Sequence, residues 1–167
     1  MEVACENVPA LGNVKVFPDV SGSMQSPVTG NRGSATSKVR CIDVAALYAA
    51  ATLRTNREAE VVPFEHTVRS MSLNPRDTVM TNAKRLASIG GGGTNCSAPL
   101  EMLNNRGDYS ADVVVYISDY ESWVDSGHGG MLRQWNEYKS HNKKAKLICI
   151  DLIPRTNHQV VEHEDIL

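Results

Sequence analysis

The feature that most constrains this chain is a short polar stretch, DVSGSM at residues 19–24. It closely follows a segment in which polar and apolar residues alternate. Residues 13–17 alternate polar and apolar side chains as a β-strand does, and the proline and glycine that follow predict a loop there. Asp19, Ser21 and Ser23 are spaced two apart, so an extended backbone would point their side chains the same way. Carboxylate and hydroxyl oxygens are ligands that a small divalent cation such as Mg²⁺ prefers. The stretch therefore predicts metal-ligating oxygens at the end of a strand.

Two further stretches are predicted to bring oxygen atoms to the same place. The apolar run at 113–118 predicts a strand that ends at Asp119, and the glycine run at 90–93 ends at Thr94, ahead of a predicted helix. In open parallel α/β sheets, ligands bind outside the carboxyl ends of the strands, near the point where the strand order reverses. We therefore expect five metal ligands to converge there: Asp19, Ser21, Ser23, Thr94 and Asp119.

The alternation of predicted strands and helices indicates an α/β fold with a mostly parallel central sheet, helices on both faces and one antiparallel edge strand. Strands are predicted at 13–17, 58–65, 112–118 and 146–153, with 67–71 as the antiparallel edge. Helices are predicted at 38–56, 77–89, 97–105 and 130–141. Ser37 is the expected N-cap of the first helix, and Val39 the first residue of its apolar stripe.

Composition limits the functional classes. The 167 residues fit one domain, with 41% hydrophobic and 22% charged residues as in ordinary globular proteins. A net charge of -2 argues against a domain that holds nucleic acid by bulk charge. The four scattered cysteines are expected to be reduced core residues. No signal peptide or membrane span is recognisable, so we expect a cytoplasmic protein without a membrane partner.

The predicted ligands favour binding over catalysis. A cation held directly by neutral hydroxyls keeps most of its charge, so an open coordination position would attract an anionic oxygen from outside. The site is thus expected to capture an Asp or Glu side chain of a partner protein.

The motifs DVSGSM, GGGGTN and YISD resemble the metal-ion-dependent adhesion site of the Rossmann-like von Willebrand factor A (vWA) fold. The resemblance implies that Ser21 and Ser23 bind Mg²⁺ directly, with Mn²⁺ or Ca²⁺ able to replace it. It also implies that Thr94 binds directly or through water, and that Asp19 and Asp119 act mostly through water.

Nearly the whole chain is similar to the carboxyl-terminal domain of bacterial Ro proteins, the TROVE-domain RNA-binding family, through segments such as SKVRCIDVAALYAA and GGGGTNCSAPL. This implies that residues 1–167 form a vWA domain of a longer ribonucleoprotein, without the last strand and helix of the family. Binding of Y RNA and of an exoribonuclease, in RNA quality control and decay, is implied for the full-length protein only.

Other interpretations remain open at this point. The Asp19 cluster could simply cap a turn, or the motif could persist on a metal-free structural platform. An Mg²⁺-dependent phosphohydrolase also places an aspartate after its first strand, although Ser21 then replaces the carboxylate that would act as acid and base. Glu121 is expected in an exposed loop, and Trp135 in the core.

Overall fold

The computed structural model describes residues 10–119, 130–153 and 165–166. The four strands are β1 (Val14–Pro18), β2 (Glu60–Val61), β3 (Val113–Ser118) and β4 (Lys146–Asp151). The four α-helices are α1 (Cys41–Thr55), α2 (Val79–Ala87), α3 (Ser97–Arg106) and α4 (Met131–His141). Two short 3₁₀ turns, Gly22–Gln25 and Gly33–Ala35, lie between β1 and α1.

The strands form a parallel sheet in the order β2-β1-β3-β4. The order reverses between the neighbours β1 and β3, which pair in register from Val14 with Val113 to Pro18 with Ile117. The carboxyl ends of these two strands therefore lie side by side at the switch point. The parallel α/β architecture is confirmed, and it places the residues that follow β1 and β3 at one edge of the sheet.

The predicted antiparallel edge strand at 67–71 is wrong for the described part of the chain. A single antiparallel bridge joins Phe64 to Val68, and the N–H of Arg69 donates to the carbonyl of Pro63 at 2.7 Å. Pro63 has no N–H with which to return a bond, so the pairing does not extend. Instead, the residues after β2 continue alongside β1, and the N–H of Phe64 donates to the carbonyl of Pro18 at 3.1 Å.

The first helix begins three residues later than predicted. Arg40 is its N-cap: its N–H donates to Oδ2 of Asp43 at 2.9 Å, while the Ser37 hydroxyl accepts only from the N–H of Val39. Val39 consequently lies outside the helix and is 46% exposed. β2 covers only Glu60–Val61 of the strand predicted at 58–65. The remaining elements start and end within two residues of prediction. Pro18 is the last residue of β1, not a residue beyond it.

The sheet has an apolar core on each face. On one face, Val16 and Val115 pack with residues of α1 and α2, and a run of small side chains in α1 lets that helix lie close to the sheet. On the other face, Tyr116 packs with residues of α3 and α4, including Trp135, which is 1% exposed. The predictions that helices cover both faces and that Trp135 is a core residue are confirmed. In the described ranges, no helix is long and apolar enough to cross a bilayer.

A short stretch near the end of the sequence also pairs with the sheet. Ile166 forms a parallel bridge with Leu147 of β4, and the carbonyl of Asp165 accepts the N–H of Leu147 at 2.9 Å. The Asp165 carboxylate pairs with Lys139 and Lys146. We predicted that residues 1–167 form a vWA domain that lacks the last strand and helix of the family. This stays a prediction.

An ion-pair cluster around the buried Lys15 of β1 predicts how the fold responds to acid. Lys15 is 5% exposed, and its Nζ lies 2.5 Å from Oε2 of Glu60 and 2.7 Å from Oδ2 of Asp108. Burial by itself would raise the pKa of Asp108, but hydrogen bonds from Lys15 and Ser110 outweigh it and lower the pKa to about 2. This folded-state pKa lies below the ordinary value of 3.8. The ionised carboxylate therefore stabilises the fold above pH 3.8, and we expect that stability to be lost as the pH falls towards 2.

Urea unfolding between pH 2 and pH 5 measures this contribution. Asp108→Asn should show a smaller loss of unfolding free energy over that interval than the wild type. Asp112→Asn is a matched control, since Asp112 is exposed and next to β3. An identical acid dependence in the wild type and in Asp108→Asn would contradict the assignment.

Candidate metal centre

Asp19 is firmly anchored at the end of β1. Its side chain is fully buried, and its N–H donates to the carbonyl of Ile117 at 2.9 Å. Oδ1 accepts the backbone N–H of Ser21 at 2.8 Å, and Oδ2 accepts the hydroxyl of Ser118 at 2.8 Å. Each carboxylate oxygen can accept a second bond. Asp19 is therefore fixed in orientation and keeps acceptor capacity for a water molecule or a cation.

The hydroxyls of Ser21 and Ser23 meet, although not through the extended backbone that was predicted. The chain enters a 3₁₀ turn at Gly22–Gln25, and this turn brings the two Oγ atoms to 3.1 Å from each other. Neighbouring ligands of an octahedral Mg²⁺ with bonds of about 2.0–2.1 Å are about 2.9 Å apart. The spacing of the hydroxyls thus fits two adjacent ligands of such an ion.

The glycine loop is docked against this turn by its backbone. The N–H of Gly22 donates to the carbonyl of Gly92 at 2.8 Å, and the N–H of Gly91 donates to the carbonyl of Val20 at 3.0 Å. Gly90 has a φ of +93°, and a Cβ on it would lie 1.9 Å from the carbonyl oxygen of Val20. The close approach therefore requires glycine at position 90.

A buried glutamate holds the glycine loop from its other side. Glu65 is 3% exposed; its Oε2 accepts the N–H of Gly92 at 2.9 Å, and its carbonyl accepts the N–H of Asn95 at 2.9 Å. The bond from Gly92 holds the pKa of the Glu65 carboxyl below its ordinary value, and pairing with Arg69 adds to this against the effect of burial. Glu65 thus fixes the backbone on both sides of Thr94.

Neither Glu65 nor Ser118 was predicted to support the site. Glu65 lies 27 positions from Gly92, and Ser118 lies 99 positions from Asp19. Contacts at such separations leave no local pattern in the sequence. The one available signal was that each residue lies at the end of an apolar run, and each run was predicted to form a strand of the sheet.

Asp119 adds a second carboxylate at this edge. It directly follows β3 and is 2% exposed. Burial raises the pKa of the Asp19 carboxyl above its ordinary value, hydrogen bonds from Ser21 and Ser118 oppose the rise, and the charge of Asp119 adds to it. Two buried carboxylates that repel each other favour a neighbouring positive charge.

The contacts in the structure differ among the five predicted residues. Asp19 contacts Ser21, Ser21 contacts Ser23, and Asp119 lies within electrostatic range of Asp19. Thr94 is half-buried, and Glu65 holds the backbone at Gly92 and Asn95 on either side of it. The roles of all five as metal ligands remain predictions. The predicted loop at Glu121 lies outside the described residues.

The donor set has a definite chemical character. Over the described ranges, no three His, Cys, Asp or Glu side chains cluster in a way that could hold a metal. A cation at this site would instead need hydroxyl oxygens in addition to the two carboxylates. Such hard oxygen donors suit Mg²⁺ or Mn²⁺ and do not suit zinc, which is bound mainly by nitrogen and sulfur.

Comparisons with known proteins agree with this architecture. Residues 14–166 match the family described as the Ro60 vWA domain. The RNA-binding protein RO60 of Deinococcus radiodurans is 30% identical over 127 residues, which cover 71% of this chain and 23% of that protein. The crystal structure of the Deinococcus radiodurans RO (RSR) protein superposes with a TM-score of 0.77 at 25% identity, over 99% of this chain and 32% of that one. The chain therefore spans a third or less of these relatives, and by its match over residues 14–166 it belongs to the Ro60 vWA domain family.

Proposed function

We propose that this domain is a metal-ion-dependent adhesion module that binds an Asp or Glu side chain of a partner protein through Mg²⁺. The observation that carries the proposal is the pair of hydroxyls on Ser21 and Ser23, 3.1 Å apart and next to the buried, hydrogen-bonded carboxylate of Asp19. This combination matches the spacing and the donor type that the ion requires.

Each residue of the site has a proposed task. Ser21 and Ser23 would hold the ion directly, Thr94 directly or through water, and Asp19 and Asp119 mostly through water. When bound, Mg²⁺ supplies an open position for an anionic oxygen, and Mn²⁺ or Ca²⁺ can take its place. The direct ligands are neutral, so they leave most of the positive charge available to the incoming carboxylate. The Ser118 hydroxyl orients Asp19, and Glu65 holds the loop that carries Thr94.

The environment of Asp19 favours binding over turnover. A nucleophilic carboxylate needs access to its substrate, whereas Asp19 is fully buried and both of its oxygens already accept hydrogen bonds. An Mg²⁺-dependent phosphohydrolase with an aspartate after its first strand would also need a second carboxylate as acid and base. Ser21 occupies that position in this chain. We therefore assign no catalytic role to the site.

We further propose that the module works within a longer RNA-binding protein in the cytoplasm. The support is that one relative is named an RNA-binding protein and that this chain covers only 23% of it. A net charge of -2 gives the domain no bulk attraction for RNA. Y RNA and an exoribonuclease would accordingly be partners of the full-length protein in small-RNA binding and decay, while this domain recruits an acidic protein partner.

Water-proton relaxation with Mn²⁺ tests carboxylate capture directly. Mn²⁺ bound to the wild-type chain should enhance relaxation, because the open position holds an exchangeable water molecule. Adding N-acetylglutamate amide should lower the enhancement as the carboxylate displaces that water, whereas the glutamine analogue should not. Asp19→Ala should show little enhancement with either probe. Equal responses to the two probes would refute capture of a carboxylate, even if the metal itself binds.

A further inference from the structure

A surface groove of about 430 Å³ lies between α1 and α2, on the side of the sheet opposite α3 and α4. Its apolar lining comes from both helices and from the residue ahead of α1: Val39, Val44, Leu47, Met80, Ala83 and Ala87. A groove between two helices has the shape that receives a third, amphipathic helix.

The groove concentrates exposed apolar surface. Val39 is 46% exposed and Met80 is 40% exposed, and within the described residues only Leu132 is a further large hydrophobic side chain exposed to this degree. Single exposed apolar side chains are ordinary on protein surfaces, whereas these two line the same groove. Val39 lies ahead of α1, which begins at Cys41, and lines the groove next to Lys38.

The charged residues around the groove define the partner. Lys38 and Lys84 are exposed at its rim, and neither forms an ion pair with another residue in the described ranges. The third charged residue of the lining, Asp43, is compensated by Arg40, which donates to it from Nε at 3.1 Å and from a terminal nitrogen at 2.7 Å. The rim is therefore net positive, and it complements acidic side chains that flank an apolar surface.

One end of the groove adjoins the candidate metal centre. At the start of α1, the N–H of Cys41 donates to the carbonyl of Ser26, directly after the turn that carries Ser21 and Ser23. The chain leaves α2 towards the glycine loop, where the N–H of Gly91 donates to the carbonyl of Val20. The start of α1 and the end of α2 are therefore connected to the segments that carry the metal centre.

We propose that this groove docks an acidic amphipathic helix of the partner protein whose carboxylate is captured at the metal. The link to the metal rests on the proposed function, whereas the contact in the groove needs no metal. Apolar side chains of the helix would cover Val39 and Met80, and its flanking Glu or Asp side chains would pair with Lys38 and Lys84.

Fluorescence anisotropy with two designed helical peptides tests the groove separately from the metal, because it can be done in EDTA. Both peptides carry leucines at helical spacing, flanked by glutamates in one and by lysines in the other. We expect the wild-type chain to bind the acidic peptide about tenfold more tightly than the basic one. Lys38→Glu/Lys84→Glu should reverse the preference, and the matched control Lys143→Glu/Lys144→Glu, at exposed positions outside the groove, should keep it.

Several results would overturn the proposal. No preference between the peptides, or the same preference in the groove variant and the wild type, would exclude recognition by charge. Loss of binding in the control variant would locate the contact elsewhere. Self-association of the wild type in sedimentation, abolished by Met80→Glu, would identify a second copy of the chain as the occupant instead. If the acidic peptide binds in the groove but the Mn²⁺ relaxation test fails, docking in the groove is supported and its link to the metal is refuted.

Discussion

Replacing Gly90 with alanine is expected to lower the unfolding free energy by about 3 kcal/mol or more and to weaken metal binding at the same time. A Cβ at this position would lie 1.9 Å from the carbonyl oxygen of Val20 and 2.8 Å from its Cβ, at a φ of +93° that disfavours any side chain. The obstructing oxygen is backbone, so no side-chain rotation relieves the clash. The loop would have to move, and the bonds Gly91 to Val20 and Gly22 to Gly92 would be lost.

The same glycine run provides the control. A Cβ on Gly93 would meet no atom within 4 Å, and Gly93 is not among the glycines with positive φ. Gly93→Ala should therefore leave the unfolding free energy unchanged or raise it by about 0.5 kcal/mol. Urea unfolding, followed by a Mn²⁺ titration of each variant, measures both effects. Similar stability of the two variants would mean that the loop does not dock as described.

Removing both serine hydroxyls is expected to have the largest effect on metal affinity. In Ser21→Ala/Ser23→Ala, two direct ligands disappear, and since loss of an outer-shell partner alone costs about 10- to 100-fold, we expect a loss of about 100-fold or more. The fold should survive, because the two hydroxyls hydrogen-bond each other and are removed together. The bond from the backbone N–H of Ser21 to Oδ1 of Asp19 does not involve the hydroxyl and is retained.

The midpoint of thermal unfolding with and without Mg²⁺ measures this loss. At a Mg²⁺ concentration 100 times the dissociation constant, the wild type should gain about 2.7 kcal/mol, whereas the double variant should gain almost nothing. Ser26→Ala is the matched control, because Ser26 is an exposed serine that directly follows the same turn. A Mg²⁺ response of the double variant equal to that of the wild type would show that the hydroxyls are not ligands.

The architecture could be predicted because its determinants are local. The apolar run of β3 and the alternation in β1 each identify a strand within a few residues, and strands separated by helices lead to a parallel sheet. The rule for ligand positions in such sheets then places the ends of β1 and β3 together, as the structure confirms.

The start of the first helix, the support from Glu65 and the turn at Ser21 and Ser23 were not predicted, because each depends on contacts that residue type and spacing alone do not specify. Ser37 is a good N-cap by type, yet the helix starts where Asp43 can accept the N–H of Arg40 and bind its guanidinium. Similarly, the supporting role of Glu65 depends on a glycine distant in sequence. The hydroxyls of Ser21 and Ser23 were expected to align along an extended chain, but a 3₁₀ turn brings them together.

Anomalous scattering from crystals of this chain soaked in Mn²⁺ is the most direct test of the central claim, that residues from three separate segments hold one cation. We expect one strong peak about 2 Å from both serine hydroxyls, with Thr94, Asp19 and Asp119 around it in direct or water-bridged contact. Saturating Mn²⁺ that leaves this position without a peak, or a peak bound by other residues only, would contradict the account.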